Sequence, residues 1–159
     1  MNPEFESDCL NKKQVMQEPG AKPIITQYER ENKHKNLLSN SDYFLEGAKQ
    51  ILESKTPFLA VILGFFSMEN RANALIALNG YDITNHKCAQ IFLSKMLERR
   101  DLAEELSNAY SKRIAFNYRL NLKGYQNKEE AEDFLNKIVI PFAEKVDKLI
   151  KEYKNHSKL

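Results

Sequence analysis

Between Glu105 and Glu129 the chain carries no acidic residue, while Lys112, Arg113, Arg119, Lys123 and Lys128 all fall inside that interval. Interleaved with them are Tyr110, Tyr118, Tyr125, Asn108, Asn117 and Asn121. Cations answer phosphates, and tyrosine rings and asparagine amides stack on bases and hydrogen-bond to sugars and base edges. The interval therefore fits contact with a nucleic acid or a nucleotide. Cations near a helix C-terminus also offset the helix dipole, which explains the same pattern without a ligand.

Two charges interrupt apolar stripes. Phe58, Ile62, Phe65, Glu69, Ala72 and Ile76 keep heptad spacing, and Glu69 falls among them. Leu102, Leu106, Ala109, Arg113, Phe116 and Leu120 keep the same spacing, and Arg113 falls among those. An unpaired charge at such a position costs several kcal/mol. Glu69 and Arg113 either pair with each other and fix helix register, line a cleft or intersubunit seam, or snorkel to solvent.

His86 and Lys87 follow the turn after Gly80. A histidine there serves as a surface or capping residue, or else as a proton-transfer group or phosphate contact. His34 and His156 lie in polar terminal segments and carry little signal. Lys145, Lys148, Lys151, Lys154 and Lys158 read as a solvated helix face. The sequence holds no Walker loop, no GxGxxG after a strand, no HExxH and no Cys/His cluster of zinc spacing, so no metal or cofactor is expected.

The elements that must position these residues are helical. Apolar spacing predicts a first helix over 42–54, with Phe44, Ala48, Ile51 and Leu52 as its stripe. A second runs over 57–79, with Thr56 as N-cap, Pro57 at the first position and Gly80 as the C-terminal glycine. It is apolar almost all round and so is expected at the centre. A third covers 85–97 with Thr84 as cap. A fourth covers 101–121, opened by Asp101 and Glu104 in capping-box spacing. A fifth starts from Asn127 and Glu130 and is kinked by Pro141. No alternating strand pattern appears. The expected fold class is all-α, an up-and-down bundle of four to five helices with short antiparallel links.

The chain has 159 residues, 42% hydrophobic and 29% charged, with a net charge of +2. Whole-chain charge thus argues neither for nor against a nucleic-acid partner. Residues 1–40 hold three of the five prolines and few apolar side chains. They read as a polar, flexible extension on a bundle at 41–159. Ile24, Ile25 and Tyr28 are candidates for local docking, and 29–38 for a forward extension of the first helix. Cys9 and Cys88 lie far apart and read as free thiols in a reducing compartment. The most apolar run, 57–68, is too short to span a bilayer. With a polar, acidic N-terminus, this reads as a cytosolic protein. Asn155-His156-Ser157 is a glycosylation sequon without meaning in that setting.

The order of three segments resembles a known family. Gly64 to Tyr81 reads GFFSMENRANALIALNGY, Asn85-His86-Lys87 follows, and Ala109 to Leu120 reads AYSKRIAFNYRL. This order resembles HEPN domains of the small prokaryotic type. In these a small-residue-rich helix is followed by a T/S-H-K-like turn and then by a helix bearing R-x-x-x-D/N-Y. The resemblance covers about 42–153. It implies a helical bundle paired as a homodimer, with RNA or nucleotide as ligand. In some members it implies a metal-independent ribonuclease toxin partnered by a minimal nucleotidyltransferase. The catalytic branch carries R-x4-H. Here Arg113 matches the arginine, but Tyr118 stands at the histidine position. Tyrosine ionises near pH 10 and is a poor general base at neutral pH, so the histidine's role is not carried over.

Three readings follow. The first is a homodimeric HEPN-like module that binds RNA or nucleotide without efficient cleavage. Arg113 contacts phosphate, Asn117 a base or sugar edge, and Tyr118 stacks, with Arg119 beside them. Glu69 holds Arg113, Asn70 faces the site, and His86 and Lys87 sit at the rim. The second is a metal-independent endoribonuclease with Arg113, Tyr118 and His86 as catalytic candidates. The third is a subunit that binds a protein partner and no nucleic acid.

Overall fold

The computed structural model describes residues 2–10, 19–118 and 128–156, with the side chains of 116–118 left out. The described residues are overwhelmingly helical, which agrees with the all-α expectation. α1 (Pro3–Phe5) runs into a π-helical turn at Glu6–Leu10, and β1 is Ala21–Pro23. α2 (Gln27–Ile51) and α3 (Leu59–Leu78) come next, then β2 (Tyr81–Ile83). α4 (His86–Ile91) continues as a π turn at Phe92–Met96, followed by α5 (Arg100–Tyr118). α6 (Lys128–Phe134) passes through a π turn at Leu135–Val139 into α7 (Ile140–His156). No described helix is long and apolar enough to cross a membrane.

α3 is the central element, as its all-round apolar sequence predicts. Ala60, Val61, Phe65, Met68, Ala72, Leu75 and Ile76 are at most 2% exposed. α2 lies antiparallel along it: Ser41 Oγ donates to Ser67 O at 2.8 Å, and the His34 ring bonds Ala74 O at 3.0 Å. α5, α7 and the α6 region pack on other sides of α3. Gly64 marks the closest approach. A Cβ there would lie 2.9 Å from Leu135 Cδ2, 3.0 Å from Val139 Cγ2 and 3.1 Å from Phe134 Cε1. All three neighbours are buried, so none can swing away cheaply.

Helix ends differ from the sequence expectation in detail. Thr56 does not cap α3 with its side chain. The chain instead winds in through Leu59 N to Thr56 O at 3.1 Å and Ala60 N to Pro57 O at 3.0 Å. Gly80 does end α3, at φ +92°, a conformation most residues avoid. Asn85, not Thr84, caps α4; its Oδ1 accepts from Lys87 N at 2.8 Å, while Thr84 Oγ1 donates to Pro19 O. Asp101 lies inside α5 and takes a two-pronged bond from Arg99, at 2.8 and 2.6 Å, in place of the expected capping box with Glu104. The Arg99 guanidinium holds that carboxyl down to about 2. Asn127 lies outside the described residues. The break expected at Pro141 takes the form of the π turn just before it, closed by Ile140 N on Leu135 O. Pro141 has no N–H for the carbonyl four residues back, and a wider turn absorbs that loss.

The larger correction concerns residues 1–40. Thr26 and Glu29 form a full capping box that starts α2 at Gln27, so the extension of the first helix over 29–38 is present and a boundary at 40/41 falls inside a helix. Residues 20–24 pair with 80–84: Ala21 opposes Ile83, Pro23 opposes Tyr81, and Thr84 N donates to Gly20 O at 2.9 Å. This two-stranded ribbon was not expected. Phe5 is fully buried, edge-on to Tyr81 and Phe92 with both centroids at 5.3 Å. Of the three docking candidates only Ile24 is buried; Ile25 and Tyr28 are exposed. Cys9 and Cys88, expected as free thiols, form a disulfide with their Cα atoms 5.7 Å apart. The polar average of the segment hides these few anchors.

Two outcomes are expected. Gly64→Val should lower unfolding stability by about 2–3 kcal/mol in denaturant titrations, since the added carbons overpack a buried crossing. His34 is 1% exposed, and burial lowers its pKa from 6.5. Below 6.5 the unfolded chain then binds the proton better than the folded one. Stability should be complete above that pH and fall as pH drops below it, with a shallower fall in His34→Gln.

Candidate functional site

α3 presents Phe65, Phe66 and Glu69 within little more than one turn, and α5 presents Tyr110 and Arg113 three residues apart, on one face. α4 begins at His86 because Asn85 caps it. The three helices meet so that these side chains form one corner. The His86 ring lies 4.6 Å from the Tyr110 ring and 5.6 Å from that of Phe65. Phe65 and Tyr110 are themselves 5.7 Å apart. The Arg113 guanidinium carbon stands 5.3 Å from Phe65, 5.3 Å from Phe66 and 5.6 Å from Tyr110. These distances lie within cation–π range.

Glu69 does not pair with Arg113, contrary to the sequence expectation. Its Oε1 lies against His86 Nδ1, with the side chains 17% and 36% exposed. Nδ1 makes no well-directed hydrogen bond in this contact, and the pair is ionic only when the imidazole is protonated. A carboxylate at Nδ1 favours a proton there and leaves Nε2 as the chemically available nitrogen. Arg113 has no carboxylate partner among the described residues, and its Nε is buried without a hydrogen bond. A guanidinium held by rings but not neutralised is suited to an incoming anion.

The remaining predicted residues divide. Asn70 is engaged on its own helix, donating Nδ2 to Phe66 O at 2.8 Å. Lys87 pairs with Asp8 of the N-terminal segment at 3.0 Å. The side chains of Asn117 and Tyr118, and all of Arg119, lie outside the described residues. Within the acid-free interval, Lys112 pairs with Glu130 at 2.9 Å and Lys128 with Glu53 at 2.6 Å. Those two cations fasten α6 to the bundle.

Sequence reasoning missed the charge that is most buried. Arg71, 7% exposed, donates Nε to Ser41 Oγ at 3.0 Å and Nη1 to Asp147 at 2.9 Å, and also pairs with Asp42. It ties α2, α3 and α7 together. A signal was present: Ala60, Gly64, Ser67, Arg71, Ala74 and Leu78 keep heptad spacing as a second, small-residue stripe of α3, the mark of a close helix contact. Tyr110 and Phe66 were also missed as site residues, being read as interval and core.

No family model, curated protein or solved structure matches this chain.

The two arginines should respond oppositely to the same change. Arg71→Met removes the partner of Asp42 and Asp147, leaving Ser41 its bond to Ser67, and should cost at least about 2 kcal/mol, discounted from the buried-pair range because both acids are partly exposed. Arg113→Met keeps an apolar stem on the rings and strands nothing, so thermal and denaturant midpoints should shift by less than about 1 kcal/mol.

Proposed function

We propose that this chain is an HEPN-like module, working as a homodimer, that binds RNA or a nucleotide through a phosphate at Arg113. The observation that carries this reading is the unneutralised guanidinium on a ring platform, with an imidazole beside it. Arg113 contacts a phosphate oxygen. Tyr110 and His86 offer ring faces and edges to a base or sugar, a sequence-tolerant mode of contact. Asn117, Tyr118 and Arg119 follow on the same strand of chain and extend the contact in this reading. Glu69 positions His86 instead of Arg113. The order of the GFFSMENRANALIALNGY, Asn85-His86-Lys87 and AYSKRIAFNYRL segments supports the HEPN assignment and, with it, the dimer.

The Glu69–His86 contact favours a second reading, metal-independent RNA cleavage. It supplies an imidazole at the corner although Tyr118 replaces the family's histidine. In that reaction His86 Nε2 takes the proton of a ribose 2′-hydroxyl and the 2′-oxygen attacks phosphorus. The bond from phosphorus to the 5′-oxygen breaks and that oxygen takes a proton from water, giving a 2′,3′-cyclic phosphate and a 5′-hydroxyl, while the protonated His86 returns its proton to solvent. Arg113 stabilises the charge on the pentacoordinate phosphorus.

The test is labelled RNA incubated with protein in EDTA at two salt concentrations, with binding and cleavage read together. Binding should weaken with salt, and Arg113→Ala should weaken it about tenfold or more. Cleavage abolished by both Arg113→Ala and His86→Ala would replace the binding reading with the ribonuclease one. Neither binding nor cleavage would leave the protein-partner reading, with a nucleotidyltransferase as the first partner to try. Sedimentation at micromolar concentration should give a dimer; a monomer would sink that part of the proposal.

A further inference from the structure

A cleft of about 420 Å³ opens where the N-terminal half of α2 passes the end of α3 and the last turn of α7. Its lining includes Arg30, Lys35 and Lys154. Lys35 and Lys154 have exposed side chains and no ion-pair partner among the described residues. Arg30 is fixed in place: its Nε donates to Ile24 O at 3.0 Å and its guanidinium lies on Gly80, where a Cβ would come within 3.0 Å of it. The one carboxylate of the lining, Glu31, takes a hydrogen bond from Gln27 at 2.9 Å. Three cations and one carboxylate leave an excess of two positive charges. Leu78 and the Tyr153 ring supply an apolar wall.

His34 also lines this cleft, 1% exposed. Its Nδ1 lies 3.0 Å from Ala74 O, an oxygen that can only accept, so Nδ1 carries the hydrogen. Burial and the nearby Lys154 and Lys35 charges lower its pKa, which keeps the ring neutral. Nε2 is then a bare acceptor, and it has no partner. A buried acceptor of this kind is costly unless something donates to it. A ligand matched to this lining would carry two groups: a doubly charged anion for the cations, and an O–H that could donate to His34.

We propose that this cleft is a binding site for a small hydroxylated phosphate monoester, its phosphate held by Arg30, Lys35 and Lys154 and a hydroxyl donated to His34 Nε2. The volume suits a molecule of that size. The site is separate from the Arg113 corner. Leu78 and Phe65 are thirteen residues apart on α3, about 20 Å along the helix at 1.5 Å per residue.

Calorimetric titration of the full chain with ribose 5-phosphate, inorganic phosphate and ribose tests this. Ribose 5-phosphate should bind with a Kd below about 1 mM, with phosphate at least about tenfold weaker and ribose undetectable. The double variant Lys35→Ala, Lys154→Ala alters two exposed side chains and should keep its thermal midpoint while losing about tenfold or more in affinity. In nitrogen-15 spectra the His34 Nε2 resonance should move on adding ribose 5-phosphate and stay put on adding phosphate. No saturable binding of ribose 5-phosphate by about 10 mM, or equal affinity in the double variant, overturns the proposal. Equal affinity for phosphate and ribose 5-phosphate with a silent His34 overturns the hydroxyl contact and with it the ligand class. RNA binding at Arg113 should be unchanged by the two lysine substitutions, so the outcomes at the two sites are read independently.

Discussion

The rest of the molecule is arranged around one constraint: α3 is apolar almost all round and must be covered on nearly every side. A helix with a single apolar stripe can rest on one neighbour. α3 cannot, and α2, α5, α6 and α7 each take part of its surface, with α4 against its middle at Phe65 and Glu69 and β2 following its C-terminal end. Where the coat is closest, at Gly64, even a methyl group has no room. Under such a coat the polar side chains of α3 need partners, and all but Asn73, whose Oδ1 is buried without one, have them. Ser67 is bonded to Ser41, Asn70 to its own helix, and Arg71 to α2 and α7. Glu69, part-exposed, reaches His86 at the edge of the coat.

That accounting explains what could be read from sequence. The central place of α3 follows from its composition, and its end at Gly80 from the need for a left-handed residue. Glu69 and Arg113 stood out because they break apolar stripes. Which charge meets which was not legible. It depends on the axial offset of α3 against α5 and on where α4 begins, and neither offset is written in any one helix. Glu69 and Arg113 occupy matching places in two heptad patterns, yet the start of α4 at Asn85 puts His86 within reach of Glu69 first.

The N-terminal residues were misread for a different reason. Averaged over forty positions they are too polar to bury a core. Burial there is concentrated in Phe5, Cys9, Ala21 and Ile24, and one covalent bond fastens the first of these turns to α4. The bond closes a separation of 79 residues, and removing that freedom from the unfolded chain is worth about 4.5 kcal/mol in the chain-entropy view. A short segment can therefore dock on few contacts. The same misreading hid His34, which was counted with a tail and is in fact packed between α2 and α3.

The two arginines separate charge that builds the fold from charge left for another use. Arg71 is surrounded by acceptors on three elements, and desolvating it is offset on the spot. Arg113 keeps its aliphatic stem and one face against three rings, and nothing in the described protein neutralises it. If α5 needed only packing at that position, a leucine or methionine would fill it without the desolvation cost of a buried Nε. An unneutralised cation is a net expense to the folded chain alone, and it becomes favourable only when an anion completes it. The same reasoning applies to His34 Nε2, a buried acceptor for which the fold itself supplies no donor. Both groups lie beside additional polar or cationic side chains and not in closed apolar core. In each case the fold leaves a buried polar atom without a hydrogen-bond partner among the described residues.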